Sequence, residues 1–147
     1  YFSSDTVFFL KIFYNKILCR DIINLGCKPK KSLTLKFPRI PSEYLSHFVR
    51  GFFDGDGSIH FNAPNTIKIS FISTSLFIKS LKKHISYILH LSGGNIQKNK
   101  KLGVLTYCGD NARKICHWMY RDSSLFLKRK RERFVNHLIK RGEINGI

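Results

Sequence analysis

The sequence has few acidic residues, and this shortage is its most informative feature. Nine Asp and Glu residues stand against 26 Lys and Arg residues in a chain of 147, so the formal net charge is +17 at pH 7. A chain this basic needs a polyanionic partner, and nucleic acid is the commonest one. Membrane is the competing polyanion, but no apolar run approaches the roughly 20 residues of a spanning helix. We therefore predict binding to nucleic acid and not to membrane.

The cysteines are few, and they lack the spacing of a metal site. Cys19, Cys27, Cys108 and Cys116 are separated by 8, 81 and 8 residues. This spacing matches neither a CxxC pair nor a zinc ribbon, so free thiols are expected. Residues 1–10 also lack the form of a cleavable signal peptide. An intracellular, reducing location is predicted, in the cytoplasm of a bacterium or phage host or in an organelle.

Helical and strand-like patterns alternate from residue 41 onward. Apolar residues at helical spacing predict a helix over about Glu43–Asp54, with Ser42 as its N-cap. The later segments predict strands over Ser58–Asn62 and Thr66–Ser73, a helix from Ser75 to the Gly93-Gly94 pair, strands over Asn95–Lys101 and Val104–Cys108, and helices over Asn111–Tyr120 and Leu125–Ile139. With two hairpins and no βαβ crossover, this order predicts an α+β domain whose antiparallel sheet has helices on one face.

The segment Phe48–Ile59 combines a glycine pair with two acids at the end of the predicted helix. Gly51 and Gly55 lie four residues apart, so they share a face that a second helix backbone could approach closely. Asp54 and Asp56 follow at the helix C-terminus, where the helix dipole disfavours carboxylates and a bound cation would reverse that penalty. Their hard oxygen ligands suit Mg²⁺.

The Asp-Gly-Asp-Gly stretch has two other interpretations. An EF-hand loop is excluded, because it would need Gly where Ile59 stands and Glu where Asn65 stands. A simple turn rich in Asp and Gly after a helix stays open if the four residues are taken alone.

The longer segment Val49–Gly57 resembles the LAGLIDADG motif position by position. The α-β-β-α-β-β-α order over Pro41–Ile139 is also that of the DNA-binding core of the LAGLIDADG homing endonucleases. The resemblance implies that two motif helices pack together, with Gly51 and Gly55 at their interface, and that each presents its final acid to the scissile phosphates. Asp56 would then be a ligand of Mg²⁺, or of another divalent cation such as Mn²⁺. The Gly55 carbonyl would be a further ligand, whereas Asp54 would cap or orient.

The resemblance also implies a DNA-binding surface. In the family, the β-hairpins lie in the major groove of double-stranded DNA. Asn and Gln there can read adenine edges, whereas lysines mostly contact phosphate. The implied residues are His60, Asn62, Thr66, Lys68, Ser70 and Ile72 of the first hairpin and Gln97, Lys98, Asn99, Lys100 and Lys101 of the second.

Two further catalytic positions follow from the resemblance. Ser75, or else Ser73, falls where the family has a polar residue that orders water near the metal. Lys130 falls where the family places a lysine close to the scissile phosphate, to stabilise charge or polarise the attacking water. A solvated basic helix face is the alternative for the run that contains Lys130.

A single motif occurs in this chain, whereas the family needs two. Residues 41–147 are predicted to be the endonuclease domain, acting as a homodimer or with a second half. Residues 1–40, with a helix over Val7–Asn24, are predicted to be a helical extension. That extension is either the tail of a preceding half, since Leu18-Cys19 corresponds to Ile115-Cys116, or a chance likeness.

Two functions of different classes remain open at this point. The first is a site-specific double-stranded DNA endonuclease that hydrolyses phosphodiesters with divalent metal ions. The second is a nucleic-acid-binding relative that does not cleave, such as an intron-splicing maturase or a regulator. The motif's final acid, Asp56, favours the enzyme, because a protein that only binds has no need of it.

Overall fold

The computed structural model describes residues 15–24, 34–62, 66–99 and 102–144. The chain divides into two compact units, residues 1–31 and 32–147. In the first unit, helix α1 spans Lys16–Asn24, and the Asn15 Oδ1 atom caps it by accepting the backbone N–H groups of Ile17 and Leu18. The remainder of the helix predicted over Val7–Asn24 lies outside the described residues.

The second unit begins its described part with an extended segment, residues 34–41. Phe37 packs edge-on against Phe48 of the following helix, with ring centroids 5.5 Å apart, and stacks on His84 at 4.6 Å. Leu35 and Ile40 also pack against the core. These residues had been predicted as part of the extension, but their apolar side chains join the core of the second unit.

Helices and strands of the second unit follow the predicted order. A 3₁₀ turn at Ser42–Tyr44 precedes α2 (Leu45–Asp56), β1 (Ser58–Asn62), β2 (Thr66–Thr74), α3 (Ser75–Leu89), β3 (Asn95–Asn99), β4 (Leu102–Cys108), α4 (Gly109–Tyr120) and α5 (Lys128–Lys140). None of the helices in the described ranges combines the length and the apolarity that a membrane crossing needs.

The strands form one antiparallel sheet in the order β1-β2-β4-β3. Each hairpin pairs internally, and the two hairpins join along β2 and β4. One row across the sheet runs through Ser58, Ser70, Thr106 and Asn95. Because side chains alternate along a strand, this row and every second residue from it share one face.

The other face of the sheet carries the core. Ile59, Ile69, Phe71, Leu105 and Tyr107 are at most 2% exposed there. They meet the apolar stripes of the helices, including Val49 and Phe53 of α2, Phe77 and Leu81 of α3, and Ile115 and Met119 of α4. Helices thus cover one face of an antiparallel sheet, and the α+β prediction is confirmed.

Several helix ends differ from the sequence prediction; α2, for example, ends at Asp56 and not at Asp54. Ser42 was predicted to be an N-cap, but it lies inside the 3₁₀ turn, and α2 begins at Leu45 without a side-chain cap. Helix α3 ends at Leu89, because His90 adopts a left-handed conformation (φ 49°) before the glycine pair is reached. Helix α5 begins at Lys128, three residues later than predicted.

Candidate active site and nucleic-acid interface

Helix α2 presents two different faces. Leu45, Val49 and Phe53 are at most 2% exposed and face the core. Gly51 and Gly55 lie on the outer side, and a Cβ atom built on either would meet no atom within 4 Å. The predicted helix-packing face is therefore free of contacts with the described residues of its own chain.

Asp54 binds two groups from the C-terminal helices. Its Oδ1 atom accepts the Tyr120 hydroxyl at 2.7 Å, and its Oδ2 atom accepts the backbone N–H of Leu127 at 2.9 Å. Burial, followed by the hydrogen bond to Asp54, raises the pKa of the Tyr120 hydroxyl, so the phenol stays protonated and donates. Because Leu127 is the N-cap of α5, Asp54 places a carboxylate at a helix N-terminus, where the dipole favours it.

Lys130 makes the reciprocal contact, from α5 back to the end of α2. Its ammonium group donates to the carbonyls of Phe53 (2.5 Å), Asp54 (2.9 Å) and Gly57 (2.5 Å). The last carbonyls of an α-helix have no partners within the helix; Lys130 binds the Asp54 carbonyl, shares the Phe53 carbonyl with the Gly57 N–H, and binds the Gly57 carbonyl just beyond the helix. It is 4% exposed, and burial lowers the pKa of its ammonium group, an effect that Asp54 partly opposes.

The geometry of Lys130 differs from the catalytic role predicted for it. An ammonium group has three N–H donors, and all three are used by backbone carbonyls. None is left for a phosphate or a water molecule in this arrangement. In this structure Lys130 caps α2 and holds the end of the motif in place.

Arg50 attaches the motif to the α4–α5 loop. Its Nε atom donates to the Leu125 carbonyl at 2.8 Å, and its Nη1 atom donates to the Met119 carbonyl at 3.1 Å and lies 2.7 Å from His47 Nδ1. Sequence reasoning missed this residue. The available signal was an arginine adjoining the apolar positions Val49 and Phe53 on the buried side of a helix.

Asp56 contrasts with all of these residues. It is the last residue of α2 and is exposed, and no hydrogen bond or ion pair engages its carboxylate within the described ranges. The Gly55 carbonyl, in the same final turn, is likewise unengaged there. These free hard oxygens fit a divalent cation, which prefers carboxylate and carbonyl ligands.

The described part of the chain gathers no further side-chain ligands around Asp56. Among the described residues, no group of three or more His, Cys, Asp and Glu side chains could hold a metal ion. Asp56 thus supplies one carboxylate, and the described side chains do not complete a three-ligand group around it.

The open face of the sheet carries most of the residues predicted to contact DNA. By strand alternation, His60, Asn62, Thr66, Lys68, Ser70, Ile72 and Gln97 lie on this face. The Oγ atoms of Ser58 and Ser70 are 2.5 Å apart, which ties the start of β1 to β2 just beyond Asp56. The structure therefore brings these polar groups onto one surface beside the end of α2.

Four predicted DNA-binding lysine and asparagine positions are placed differently or lie outside the described residues. Lys98 pairs with Gly103, which faces Ile78 of α3, so strand alternation puts Lys98 on the helix-covered side of the sheet. Its predicted contact with DNA stays a prediction. Asn99 ends β3 opposite Leu102, and the predicted contacts of Lys100 and Lys101 fall outside the described residues.

The serines proposed to order water near the metal do not reach the open face as strand residues. Ser75 is the first residue of α3, and Ser73 pairs with Gly103 and so has the phase of the helix-covered side. The intervening Thr74 caps α3 by accepting the Phe77 N–H and donates to the Leu35 carbonyl. No hydrogen bond joins Ser75 to Asp56, so its catalytic role stays a prediction.

A groove runs beside the glycine face of α2. Its volume is about 480 Å³, and it is lined by His47, Arg50, Gly51, Asp54, Leu125, Phe126 and Leu127. Leu125 is 81% exposed at its rim. The glycine face is therefore flanked by apolar side chains of the loop that Arg50 and Asp54 hold in place.

Comparison with known proteins gives structural relatives. No protein-family model and no curated protein sequence matches the chain. Two crystal structures of the homing endonuclease I-CvuI are 18% identical: one holds the I-CreI target DNA, not cleaved, with 2 mM Mg, and the other its own target with 2 mM Ca. Their TM-scores are 0.46 and 0.47, and the matches cover 67% of this chain and 68% of theirs. The homing endonuclease I-TnaI is 16% identical, with a TM-score of 0.46 and 67% and 75% of the two chains covered. These likenesses are too distant to assign a role to any residue of this chain.

Proposed function

We propose that this chain is a subunit of a double-stranded DNA endonuclease of the LAGLIDADG homing type, which hydrolyses phosphodiesters with a divalent cation bound at Asp56. One observation carries the proposal. Within the motif Val49–Gly57, Arg50 and Asp54 are both engaged in holding the fold, whereas Asp56 is exposed and unengaged. An acid that the fold does not use, at the point where α2 meets the sheet, is suited to an external ligand.

The open face of the sheet is the proposed DNA-binding surface. It offers amide, hydroxyl and imidazole groups from Asn62, Gln97, Ser70 and His60, which can hydrogen-bond to base edges in the major groove. A two-stranded β-ribbon fits that groove. The net charge of +17 favours the approach of a polyanion from any side.

Pairing across α2 is the second element of the proposal. A cut in both strands needs two active acids, and one chain contributes only Asp56. Gly51 and Gly55 leave a surface on which another helix backbone could lie close. A second copy of the chain, related by twofold symmetry, or a second half with its own motif would bring two such acids together.

The residues of the chain then have distinct tasks. When bound, the divalent cation would supply an activated water and stabilise charge on the scissile phosphate. Asp56 would hold that cation through its carboxylate, with the Gly55 carbonyl as a second oxygen. Lys130 and Asp54 fix the end of α2, so Asp56 is held by a rigid element, as positioning within about half an ångström requires.

The test is cleavage of a randomised duplex library in the presence of Mg²⁺ or Mn²⁺. Wild type is compared with Asp56→Asn and with Asp110→Asn, which removes an acid that is 77% exposed at the start of α4. We expect sequence-specific cut ends from the wild type and the Asp110 variant, and binding without cutting from Asp56→Asn.

Other outcomes would replace the proposal. Equal cleavage by Asp56→Asn would remove Asp56 from the chemistry. Duplex binding without cleavage by the wild type would indicate a regulator, and a preference for structured RNA would indicate a maturase. The mass of the protein in solution, with and without its DNA, would show whether two copies assemble.

A further inference from the structure

Helix α5 runs beside the edge strand β1 and contacts it in regular steps. Lys130 binds the Gly57 carbonyl, Arg133 Nη1 binds the Ile59 carbonyl at 3.1 Å, and His137 stacks on Phe61 with ring centroids 5.3 Å apart. From Lys130 to His137 the helix advances about 10 Å, and from Gly57 to Phe61 the strand advances about 13 Å. The two elements therefore run in the same direction, and their side chains stay in register.

Beyond the contact of Arg133 with the Ile59 carbonyl, the helix and the strand leave a groove between them. Its volume is about 230 Å³, and it is lined by Phe61, Arg133, Asn136, His137 and Lys140. The four α5 residues follow i, i+3, i+4, i+7 spacing, so they form one face of the helix. The volume is below the roughly 300 Å³ of the smallest usual ligand pockets, which suits a small group.

The chemistry of the groove is that of hydrogen-bond donors. Arg133 uses one nitrogen on the Ile59 carbonyl, and its remaining N–H groups and the Lys140 ammonium have no protein partner in the described part of the chain. No acidic side chain lines the groove. The nearby Glu143 is paired with Arg141 at 2.6 Å and Arg113 at 3.4 Å.

His137 gives an independent indication of a missing ligand. It is 4% exposed, and its Nε2 atom is buried without a hydrogen-bond partner among the described residues. Buried polar atoms in native proteins are nearly always hydrogen-bonded, and an exception calls for an explanation such as a bound ion or water. A ligand in the groove would supply one.

We propose that the groove between β1 and the C-terminal half of α5 binds a phosphate group, held by Arg133 and Lys140 with His137 behind it. A phosphate offers several acceptor oxygens, and a planar guanidinium together with a lysine matches it well. The C-terminal dipole of α5 opposes an anion there, but the N–H groups of Arg141, Gly142 and Glu143 bond the last carbonyls of α5 and reduce that effect. The site does not involve Asp56, so it stands or falls separately from DNA cleavage.

A phosphate group of this chemistry is found in two kinds of ligand: free phosphate and the backbone of nucleic acid. β1 is an edge strand of the sheet, so a phosphate in the groove would lie at the border of the open face. A duplex on that face could reach the groove with its backbone. The experiment therefore needs one arm for each source.

The experiment follows the imidazole resonances of His137 in the full-length protein by NMR. His137→Phe identifies its signals among the six histidines. Inorganic phosphate is titrated in one arm, and a short random-sequence duplex in the other. The variants are Lys140→Gln and, as a matched loss of one charge, Lys79→Gln on the exposed side of α3.

We expect a saturable shift of the His137 signals in the wild type and in Lys79→Gln, with affinity weakened roughly tenfold in Lys140→Gln. A response to inorganic phosphate would identify a free-phosphate site. A response to the duplex alone would identify a backbone contact. The proposal is overturned if neither probe shifts His137, or if Lys140→Gln responds as the wild type does.

Discussion

Two carboxylates of one motif, Asp54 and Asp56, have opposite surroundings although they are two residues apart. Two residues correspond to about 200° of rotation around an α-helix, so their side chains lie on opposite sides of α2. Asp54 binds Tyr120 and the N-terminus of α5. Asp56 binds nothing among the described residues. The motif therefore has an anchoring side, which holds the C-terminal helices, and an open side, which is available to ligand and partner.

On the anchoring side, α2 and α5 each cap the other. Asp54 caps the start of α5, and Lys130 caps the end of α2. Each helix thus satisfies the unpaired backbone groups of the other. Such reciprocal capping fixes where α2 ends, and so fixes the position of Asp56 without touching its carboxylate.

Replacement of Lys130 by methionine is expected to give the largest loss of stability. The change removes the donor that three carbonyls share; the Phe53 carbonyl keeps the Gly57 N–H, whereas the carbonyls of Asp54 and Gly57 are left without a partner among the described residues. At about 1.5 kcal/mol for each of these two charge-assisted hydrogen bonds, the free energy of unfolding should fall by about 3 kcal/mol. Urea unfolding followed by circular dichroism measures the change.

The control for this variant is Arg129→Met, which removes a neighbouring, exposed charge of the same helix. It is expected to change the free energy of unfolding by less than about 0.5 kcal/mol. If Lys130→Met were as stable as this control, Lys130 would not be a cap. Its side chain would then be free to act on phosphate, as the resemblance implied.

The two acids themselves give the most direct test of the comparison. Asp54→Asn keeps an acceptor for Tyr120 but loses the charged acceptor of the Leu127 N–H, which should cost about 2 kcal/mol. Asp56→Asn removes a charge from the C-terminus of α2 and should cost nothing, or stabilise by about 0.3–1 kcal/mol. Thermal unfolding of both variants in one buffer compares them, and equal losses would contradict the division into two sides.

Much of the fold could be predicted from the sequence, because the spacing of apolar residues and the residue types within each segment indicate helices and strands. β1 was predicted with its observed bounds, since Ser58–Asn62 contains β-branched and aromatic residues and ends at a turn-like stretch. The start of α5 was misplaced by three residues because its capping group is Asp54, far away in the chain. The contacts of Lys130 could not be predicted for the same reason: nothing near it in sequence shows that the carbonyls of Phe53, Asp54 and Gly57 surround it. Contacts between distant segments decided what local patterns could not.

Substitutions of the motif's glycines should also change stability differently, depending on where each glycine lies. On the open side, a Cβ atom at Gly51 would meet no atom within 4 Å, and the better helix propensity of leucine in Gly51→Leu should raise stability by roughly 0.5 kcal/mol. At the junction with the sheet, a Cβ on Gly57 would lie 2.6 Å from the Phe53 carbonyl oxygen, so Gly57→Ala should lose about 1 kcal/mol or more. Unfolding midpoints measure both.

The same glycine variant tests the pairing of two chains. A leucine at position 51 would hold a second helix backbone away, so sedimentation should show a loss of dimer while the monomer stays folded. A dimer that persisted in Gly51→Leu would place the partner on another surface.

Within the part of the chain that the structure describes, helix α5 also carries one buried polar side chain with hydrogen-bond partners and one without. The second, His137, should make stability depend on pH. Lys130 has three acceptors, whereas the buried His137 Nε2 has no partner among the described residues. Burial lowers the pKa of His137 below its ordinary value of about 6.5; Arg141 and Arg113 lower it further, and Glu143 opposes them. Below that ordinary value the unfolded chain takes up the proton before the folded one, so stability is lost as the pH falls from about 6.5 through the folded pKa. Above it, both states are neutral and His137 contributes no slope.

Comparison of wild type with His137→Phe isolates this smallest effect, because the two proteins differ in this one titrating side chain. Urea midpoints measured between about pH 7.5 and pH 5 should fall more steeply for the wild type below pH 6.5. Phosphate in the groove would bind the protonated imidazole more tightly and so reduce the difference between the two proteins. If the urea midpoints of the two proteins fell in parallel with pH in phosphate-free buffer, His137 would have a hydrogen-bond partner in solution. The contrast with Lys130 along α5 would then disappear.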